Sequence, residues 1–559
     1  MLPLPSSRPS SRPAPAALTR REALRFTARL TAAGFAFPSL LRSAPAPAYP
    51  HGVVRGEPTA DKIGAAVLAS GGNAIDAVVA AALAAAVCAP AMTGIGGYGA
   101  AIMIASADGK KVVAIDANSA APAVARADMF PLDDKGHVRG RVNDVGWLAA
   151  GVPGILAGLQ LALDRHGTRS FRDSVQPAIA LARDGFPLTA AVATTMRNLT
   201  PTFRTHAGGR ALFLPNGTTP AAGALFRNPD LAALLTTLAQ RNSVDSFYRG
   251  DLAQRIADDF AKNAGLVTAA DLAAYRAHEV APLRFAWNGS EICTAPLTAG
   301  GFTMLQCLTT LRALDWHRQP AGLPRTHAYL EALRLAWRDR LALLGDPASA
   351  SIPQEKLLSE AYARDCADRI RHAVKTGTLL PHSATPRPHG GTIHLSAVDR
   401  HGNMAAITLT HGNGFGAGVT VDGLGLTLGH GLSRFETKPG HPNSPGPGKR
   451  PLHNMCPSIV LRDGRPVLAL GARGGRKIPN AVLETLTQFV ALNRPLAAAV
   501  AAPRPHTEGT SAVELEAAWP ATERTALPSL GYKIKTAVSA TVSAVSFDPH
   551  SGESRAALR

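Results

Sequence analysis

The stretch "RPHGGTIHLSAVDRHGNMAAITLTHG", residues 387–412, joins a turn-forming segment to two segments of alternating pattern. The pair Gly390-Gly391 precedes Thr392, and polar and apolar residues then alternate through 392–397. Alternation with a period of two is the pattern of a β-strand. Because "DRHGN" favours a turn and "MAAITLT" a second strand, the stretch predicts a hairpin whose first strand starts at Thr392.

A threonine at this position has two interpretations. It is either a strand-forming residue behind a glycine turn, or a residue that becomes a new N-terminus. A neutral Thr hydroxyl needs a base, and a free α-amino group, with a pKa of about 8, is one. Cleavage between Gly391 and Thr392 would create that amine, and glycine tolerates the turn that such cleavage requires. The second interpretation therefore predicts a self-cleavage site and a Thr392 nucleophile.

Two further features would complete such a site. Thr408 and Thr410 lie on one face of the next predicted strand, where a hydroxyl can support the nucleophile. Gly474 and Gly475 stand at a loop-to-helix junction and offer backbone N–H groups to an oxyanion. Each feature also has an ordinary explanation, since a threonine pair is commonly a half-exposed strand face and a glycine pair a turn.

The rest of the chain predicts sheets covered by helical layers, an α/β (α+β) fold class. Residues 56–90 predict two helices split by Gly71-Gly72, with Asn73 capping the second. From Gly151 the pattern is helical, 373–391 reads as a linker, and further hairpins, a helix and closing strands follow. The loop "GIGGYG" follows a predicted helix and precedes a predicted strand, the reverse of the order in a dinucleotide fold, which disfavours a nicotinamide site.

Composition excludes several classes of function. The 559 residues are 46% hydrophobic and 18% charged, which suits a packed protein. The net charge of +18 raises the question of nucleic acid, but the basic residues are scattered and no nucleic-acid-binding motif is present. The five cysteines are widely spaced, and the histidines show no metal-binding spacing. We expect no cofactor, no metal and no nucleic-acid partner.

The N-terminal segment 1–46 has the outline of a twin-arginine export signal. It holds seven Arg and one Glu, a net charge of +6 that leaves +12 for the remainder. Arg20-Arg21 precede the apolar "FTARLTAAGFAFPSLL" and an "APAPA" cleavage region. We expect a periplasmic or secreted protein without a stable membrane span after signal removal, a basic tail being the alternative.

Five motifs in order resemble the γ-glutamyltransferase family, the glutathione hydrolase proenzymes. They are "GGNAIDAVVAAALAAAVCAPAMTGIGGYG", "GVPGILAGLQLALDRHG", "EALRLAWRDRLALLGDP", "GTIHLSAVDRHGN" and "GKRPLHNMCPSIV…GARGG". The resemblance covers residues 52–559. It implies an N-terminal-nucleophile hydrolase with a four-layer αββα fold. It also implies one proenzyme cut into a large subunit (47–391) and a small subunit (392–559), which pair as a heterodimer in a single αββα domain.

The resemblance also implies roles for individual residues. Thr392 matches the nucleophile of the family's Thr-x-His stretch, and His394 matches its histidine. Thr410 matches the supporting threonine of the following strand. Gly474 and Gly475 match the oxyanion-hole glycines, and the loop 438–448 resembles the family's lid over the site.

The residues that would hold the substrate's head group depart from the family. Asn118 stands where the family usually has an Arg for the α-carboxylate, and Arg434 where it has an Asp for the α-ammonium. His430 lies within "GHG", which replaces a polar run. His453-Asn454 replaces a Ser-Ser pair, and Gly412 replaces an Asn.

An arginine in place of an aspartate inverts the charge that a substrate meets. We therefore expect a small-molecule amide whose acyl group carries a carboxylate but no α-amine, such as an oxamate- or glutaryl-type amide, with transfer to water or an amine. One alternative is a true γ-glutamyl hydrolase or transferase acting on glutathione-like compounds. Another is a homologue that has lost catalysis and serves as a binding protein.

Overall fold

Two six-stranded antiparallel sheets lie at the centre of the protein in the computed structural model, which describes residues 49–381 and 390–559. The described residues belong to one compact unit. The predicted export segment lies outside the described residues. Within the described ranges, no helix is both long enough and apolar enough to cross a membrane.

The strands, in chain order, are β1 (Gly52–Arg55), β2 (Gly99–Ala105), β3 (Val112–Ala117), β4 (Phe186–Pro187), β5 (Leu225–Phe226), β6 (His278–Val280), β7 (Leu283–Trp287), β8 (Ser290–Thr294), β9 (Ile393–Asp399), β10 (Met404–Thr410), β11 (Thr420–Val421), β12 (Leu426–Thr427), β13 (Ser458–Arg462), β14 (Arg465–Arg473), β15 (Pro505–His506), β16 (Ala512–Leu515), β17 (Lys533–Thr536), β18 (Thr541–Phe547) and β19 (Ser554–Leu558).

The α-helices of the described residues are α1 (Pro58–Ala69), α2 (Ala74–Cys88), α3 (Ile155–His166), α4 (Phe171–Asp184), α5 (Ala190–Asn198), α6 (Thr200–Thr205), α7 (Ala207–Phe213), α8 (Pro229–Arg241), α9 (Asp245–Tyr248), α10 (Asp251–Lys262), α11 (Ala269–Ala274), α12 (Gly301–Ala313), α13 (Leu323–Leu343), α14 (Gln354–Leu358), α15 (Glu360–Thr376), α16 (Lys477–Leu486), α17 (Leu496–Ala501) and α18 (Ala521–Ala526).

The sheets stack face to face between helical layers. The first has the order β1-β9-β10-β2-β3-β6 and the second β19-β18-β14-β13-β8-β7. Strand β14 packs against β9 and β10 across the interface between the sheets. Helices α2 and α3 cover the outer face of the first sheet, and α12, α16 and α17 cover that of the second. This is the expected αββα sandwich, and the prediction is confirmed.

The hairpin β9–β10 is buried on both faces. Its apolar side chains, such as Leu395 and Ile407, pack toward the helices in the largest hydrophobic cluster. Its polar ones, such as Thr408, face the second sheet and are also fully buried. The sequence pattern alone makes such a polar face look half-exposed. The second sheet removes it from water, so each of its polar groups requires a hydrogen-bond partner.

Helix α2 consists almost entirely of small apolar residues, and its surroundings explain this composition. Asn73 caps its N-terminus, accepting from the backbone N–H of Asp76, while the Asp76 carboxylate accepts from the Asn73 N–H. The helix is buried along nearly its whole length, as its small residues predict. A helix packed on all sides against β9, β10 and neighbouring helices has room only for such side chains.

Helix α15 differs from the sequence prediction, and two further segments show detail that the sequence pattern did not indicate. Helix α15 continues to Thr376, into the predicted linker, because its apolar side packs on α12 and α13. The hairpin predicted in "GVTVDGLGLTL" pairs only two residues on each strand. The polar loop 438–448 is buried at Asn443 and Ser444, because the Asn443 side chain donates to the Arg434 carbonyl and accepts from the Leu452 N–H.

Candidate active site

The register of β9 and β10 brings two threonines together. The antiparallel pairing sets Thr408 opposite His394 and Leu409 opposite Ile393, which leaves Thr410 beside Thr392. Their hydroxyl oxygens are 3.1 Å apart, and both residues are buried. A chain separation of eighteen residues therefore becomes a direct hydrogen bond between the predicted nucleophile and the predicted supporting residue.

The Thr410 hydroxyl has all its hydrogen-bonding capacity assigned. It accepts from the Gly412 N–H at 2.7 Å and donates to the carbonyl oxygen of Gly391. A hydroxyl has one proton to donate, so the Thr392 hydroxyl is the donor in the Thr392–Thr410 pair. Thr410 thus contacts both the Thr392 hydroxyl oxygen and the Gly391 carbonyl oxygen, the two groups that a self-cleavage reaction at this bond would involve.

Gly391 adopts a backbone conformation that glycine alone takes without strain. Its φ is +95°, and a Cβ there would lie 2.6 Å from backbone atoms of Asn413. The side-chain oxygen of Asn413 accepts from the Gly390 N–H at 3.2 Å. The Gly390-Gly391 segment before Thr392 is therefore held by Asn413 at the Gly390 N–H and by Thr410 at the Gly391 carbonyl.

His394 lies behind Thr392, between the two sheets. Its Nδ1 is 2.8 Å from the Thr408 hydroxyl, and its Nε2 is 3.0 Å from that of Ser396. Burial lowers its pKa to about 3, so the ring is neutral at physiological pH. It stabilises the pairing of β9 with β10 and with the second sheet, and makes no hydrogen bond to Thr392 in the described structure.

Gly474 and Gly475 form the turn between β14 and α16. Their φ values are +140° and +64°, and a Cβ on Gly474 would lie 2.8 Å from Ala540. In the described part of the chain, neither backbone N–H donates a hydrogen bond to another residue. Gly475 lines the same pocket as Thr392. Unpaired N–H groups beside a nucleophile are the geometry that an oxyanion requires.

Most of the predicted site residues line one small pocket. It is lined by Tyr98, Thr392, Thr410, Gly412, Arg434, Asn454, Met455, Gly475 and Ile478. A second cavity shares Arg434 and Asn454 with it and also contains Arg340, Arg476 and His441. Three arginines thus line the two cavities, although Arg476 pairs with Glu508 at 2.5 Å and Glu436 also lines the second cavity.

Arg434 supplies the cation nearest the nucleophile. It ends the short 3₁₀-helix Gly431–Arg434, and its guanidinium lies over the Tyr98 ring at 5.9 Å. Its Nε is buried and has no partner, and among the described residues no carboxylate forms an ion pair with it. Burial lowers the pKa of Arg434, although a guanidinium stays charged at physiological pH. An anionic ligand would supply the missing acceptor.

His430 is buried behind Arg434. One nitrogen of the Arg434 guanidinium contacts His430 Nε2, while His430 Nδ1 is 2.9 Å from a carboxylate oxygen of Asp144. Burial, and next the charge of Arg434, lower the pKa of His430 to about 4. The ring occupies the space where a side chain at Gly412 would lie, since a Cβ there would be 2.1 Å from it. The Gly412 and His430 departures are thus one coupled change.

The remaining predicted substrate-binding residues divide into two groups. Asn454 lines both cavities and lies 3.3 Å from Arg340. Asn118 and His453 do not line the nucleophile pocket. The Asn118 amide donates to Thr298 and to the Pro451 carbonyl, and the His453 carbonyl accepts from Arg340. Both hold the loop that carries Asn454.

Sequence reasoning missed Asp144, Arg340 and Tyr98. Asp144 lies in an irregular segment without periodicity, and only its contact with His430 reveals it. Arg340 sits on α13 among many arginines, and only its burial without a carboxylate partner in the described structure distinguishes it. The sequence could have indicated Tyr98, because the loop "GIGGYG" places it directly before β2, beside the predicted site.

Comparisons with known proteins show the family of the chain. The sequence profile of the family described as Gamma-glutamyltranspeptidase matches residues 60–558. The chain is 35% identical over 463 residues to the glutathione hydrolase proenzyme of Escherichia coli K12, covering 80% of this chain and 79% of that protein. It is 35% identical over 510 residues to the acylase ACY 1 proenzyme of Pseudomonas sp. SE83, covering 89% and 90%.

Solved structures give the same result. The crystal structure of a cephalosporin acylase from Bacillus halodurans superposes with a TM-score of 0.80 at 26% identity, over 92% of this chain and 98% of that one. The γ-glutamyltranspeptidase of Helicobacter pylori superposes with a TM-score of 0.53 at 34% identity, over 59% of this chain and 92% of that one.

Proposed function

This chain belongs to the γ-glutamyltranspeptidase family of N-terminal-nucleophile hydrolases and transferases, and from that premise we propose that Thr392 is its nucleophile. The chain would be made as a proenzyme and would cut its own Gly391–Thr392 bond. The products would be a large subunit (47–391) and a small subunit (392–559) that stay paired. The contact of Thr410 with both Thr392 and the Gly391 carbonyl supports this proposal.

In self-cleavage, the Thr392 oxygen attacks the Gly391 carbonyl carbon and its proton passes to the departing peptide nitrogen. The C–N bond breaks and an ester to Thr392 forms. The Thr410 hydroxyl stabilises the negative charge on the Gly391 oxygen, to which it already donates. Water then hydrolyses the ester, which leaves a carboxylate on Gly391 and a free α-amine on Thr392.

The free amine then serves as the base for amide cleavage. It takes the Thr392 hydroxyl proton as the oxygen attacks the substrate carbonyl, and it returns a proton to the leaving amine. The N–H groups of Gly474 and Gly475 stabilise the oxyanion of the tetrahedral intermediate. Water, or an acceptor amine, releases the acyl group from Thr392.

The Arg434 guanidinium in the nucleophile pocket carries the proposal for the substrate. It favours an acyl group with a carboxylate, and it disfavours the ammonium of a γ-glutamyl group. We propose an oxamate- or glutaryl-type amide. The similarity to proteins named acylase supports acyl groups other than γ-glutamyl.

The first experiment is the intact mass of the purified chain under denaturing conditions, beside Thr392→Ala. Two fragments from the wild type, the smaller starting at Thr392, with an uncut variant, are expected. Thr408→Val is the matched control, because it removes a buried hydroxyl of the same strand that does not contact Thr392, and it should still be processed. An uncut wild-type chain would contradict the proposal and favour the binding-protein alternative.

The second experiment compares N-glutaryl 4-nitroanilide with γ-glutamyl 4-nitroanilide on the processed enzyme. The two differ only in the α-amine. Faster turnover of the glutaryl compound is expected. Preference for the γ-glutamyl compound would instead assign the true γ-glutamyl function, for which the relatedness to glutathione hydrolase proenzymes is the specific support.

We also propose that residues 1–46 direct export by the twin-arginine route, so that the enzyme works outside the cytoplasm. The pair Arg20-Arg21 carries this proposal. Replacing both with Lys should leave the protein in the cytoplasm with its signal attached. Unchanged export would contradict it.

A further inference from the structure

We propose that Asp144 is a positioning residue shared by self-cleavage and by substrate recognition, because one of its oxygens holds both the segment before Thr392 and the Arg434 side chain in place. This inference rests on the proposed function, which assigns those two roles. Asp144 lies outside both cavities, so it acts through other residues and does not touch the substrate.

The first set of contacts, the recognition branch, connects Asp144 through His430 to Arg434. Its Nδ1 is 2.9 Å from Asp144 Oδ1 and 3.2 Å from the Asp144 carbonyl oxygen. Its Nε2 faces the Arg434 guanidinium, which only donates. The ring proton must therefore be on Nδ1, where Asp144 accepts it. Asp144 selects this tautomer, and the Nε2 lone pair then orients Arg434 in the pocket.

The second set of contacts, the cleavage branch, connects Asp144 through Asn413 to Gly390. Its side-chain nitrogen donates to the same Asp144 Oδ1 at 3.1 Å, and its side-chain oxygen accepts from the Gly390 N–H at 3.2 Å. Both ends of the amide are used, which fixes its orientation. The Gly390 N–H, two residues before Thr392, is thus two hydrogen bonds away from Asp144.

Other contacts hold the carboxylate between these branches. The Asp144 side chain is 22% exposed, and its second oxygen pairs with Arg141. Burial alone would raise the pKa of Asp144, but the hydrogen bond from His430 and then the Arg141 contact lower it below the usual range. The carboxylate is therefore ionised throughout the physiological range, so it remains an acceptor in both the uncut and the cut protein.

The test separates the branches with three variants and a matched control. Asp144→Ala breaks both branches, Asn413→Ala breaks the cleavage branch, and His430→Leu breaks the recognition branch. Glu279→Gln is the control, because Glu279 also pairs with a buried histidine, His166, at 2.7 Å and is 16% exposed. Self-cleavage is followed by intact mass over time, and KM and kcat for N-glutaryl 4-nitroanilide are measured per mole of processed enzyme.

We expect the variants to separate the effect on the cleavage rate from the effect on KM. Loss of a hydrogen bond to a charged group changes a rate or an affinity by about tenfold. Asn413→Ala should slow cleavage by that factor without changing KM. His430→Leu should raise KM by that factor with kcat nearly unchanged and cleavage at the wild-type rate. Asp144→Ala should show both effects and Glu279→Gln neither, while Asp144→Asn, which keeps an acceptor oxygen, should restore most of both.

Asp144→Ala with a normal cleavage rate and a normal KM would overturn the inference, as would equal effects in Glu279→Gln. If Asp144→Ala does not fold, Asp144→Glu replaces it, since it keeps the charge but displaces the shared oxygen, and both defects are expected again. If the wild type hydrolyses no glutaryl anilide, the proposed substrate fails. The inference is then judged by cleavage alone, where Asp144→Ala must be as slow as Asn413→Ala.

Discussion

The two sides of the pocket are built differently. On the nucleophile side, Thr392 and Thr410 come from neighbouring strands of one hairpin, and their contact follows from strand register. On the opposite side, called the receptor side because it would bind the acyl group, Tyr98 and Asn454 come from two loops and Arg434 from a short 3₁₀-helix. The first side depends on backbone pairing, and the second on side chains held by other side chains.

This difference predicts that substitutions can alter substrate binding while leaving self-cleavage intact. The nucleophile side is fixed between two sheets, where any displacement would break the stacking of β14 on β9 and β10. The receptor side changes by coupled substitutions at loop positions, as the fit of His430 over Gly412 shows. The following predictions test this comparison, from the largest expected effect to the smallest.

Thr410→Val tests the nucleophile side. It removes the donor to the Gly391 carbonyl and the acceptor for the Thr392 hydroxyl while preserving side-chain volume. Loss of one such donor costs on the order of 100-fold or more in rate, so self-cleavage should slow by about that factor in an intact-mass time course. Thr408→Val is again the control. Cleavage at the wild-type rate would show that Thr410 only fills space.

Arg434→Met tests the receptor side. The variant keeps a long side chain but loses the cation, so KM for N-glutaryl 4-nitroanilide should rise roughly 10- to 100-fold. Self-cleavage should proceed, because Arg434 contacts neither Gly391 nor Thr392. A rise in KM with normal self-cleavage would support the separate roles of the two sides. Failure of self-cleavage would contradict them.

Gly412→Ala tests the coupled substitution. Gly412 has a φ of +100°, and the added Cβ would collide with His430. We expect the variant to lose about 2 kcal/mol of unfolding free energy, measured by denaturation in a Thr392→Ala background so that both chains stay uncut. The double variant Gly412→Ala, His430→Ala should recover part of this loss, and the absence of recovery would show that the two positions are not coupled.

His453→Gln tests how the protonation of a buried histidine affects stability. His453 lies in the loop that carries Asn454. Burial, and next the charges of Arg340 and Arg450, lower the pKa of His453 to about 3. Because its unfolded-state pKa is about 6.5, its stabilising contribution is complete above that pH and declines as the pH falls toward 3. The loss at pH 5.5 is on the order of 1 kcal/mol. In the Thr392→Ala background, denaturation at pH 7.5 and 5.5 should therefore show a smaller pH effect in the variant, and an equal effect would contradict the assignment.

The sequence by itself determined the nucleophile side, because its information is local. Period-two alternation located β9 and β10, the glycine pair located the turn before Thr392, and the motif order indicated the αββα layers. It also identified Arg434 as an inverted charge, since that conclusion needs only the residue type at a motif position.

Only the tertiary structure decided which residues surround that charge. Asn118 and His453, predicted from motif positions, turn away from the nucleophile pocket and hold a loop, while Asp144 comes from far along the chain to fix His430. Loop side chains have no periodicity that relates them to one another. Their partners follow from how the sheets and loops pack in space, where the need to pair each buried polar group selects the contacts.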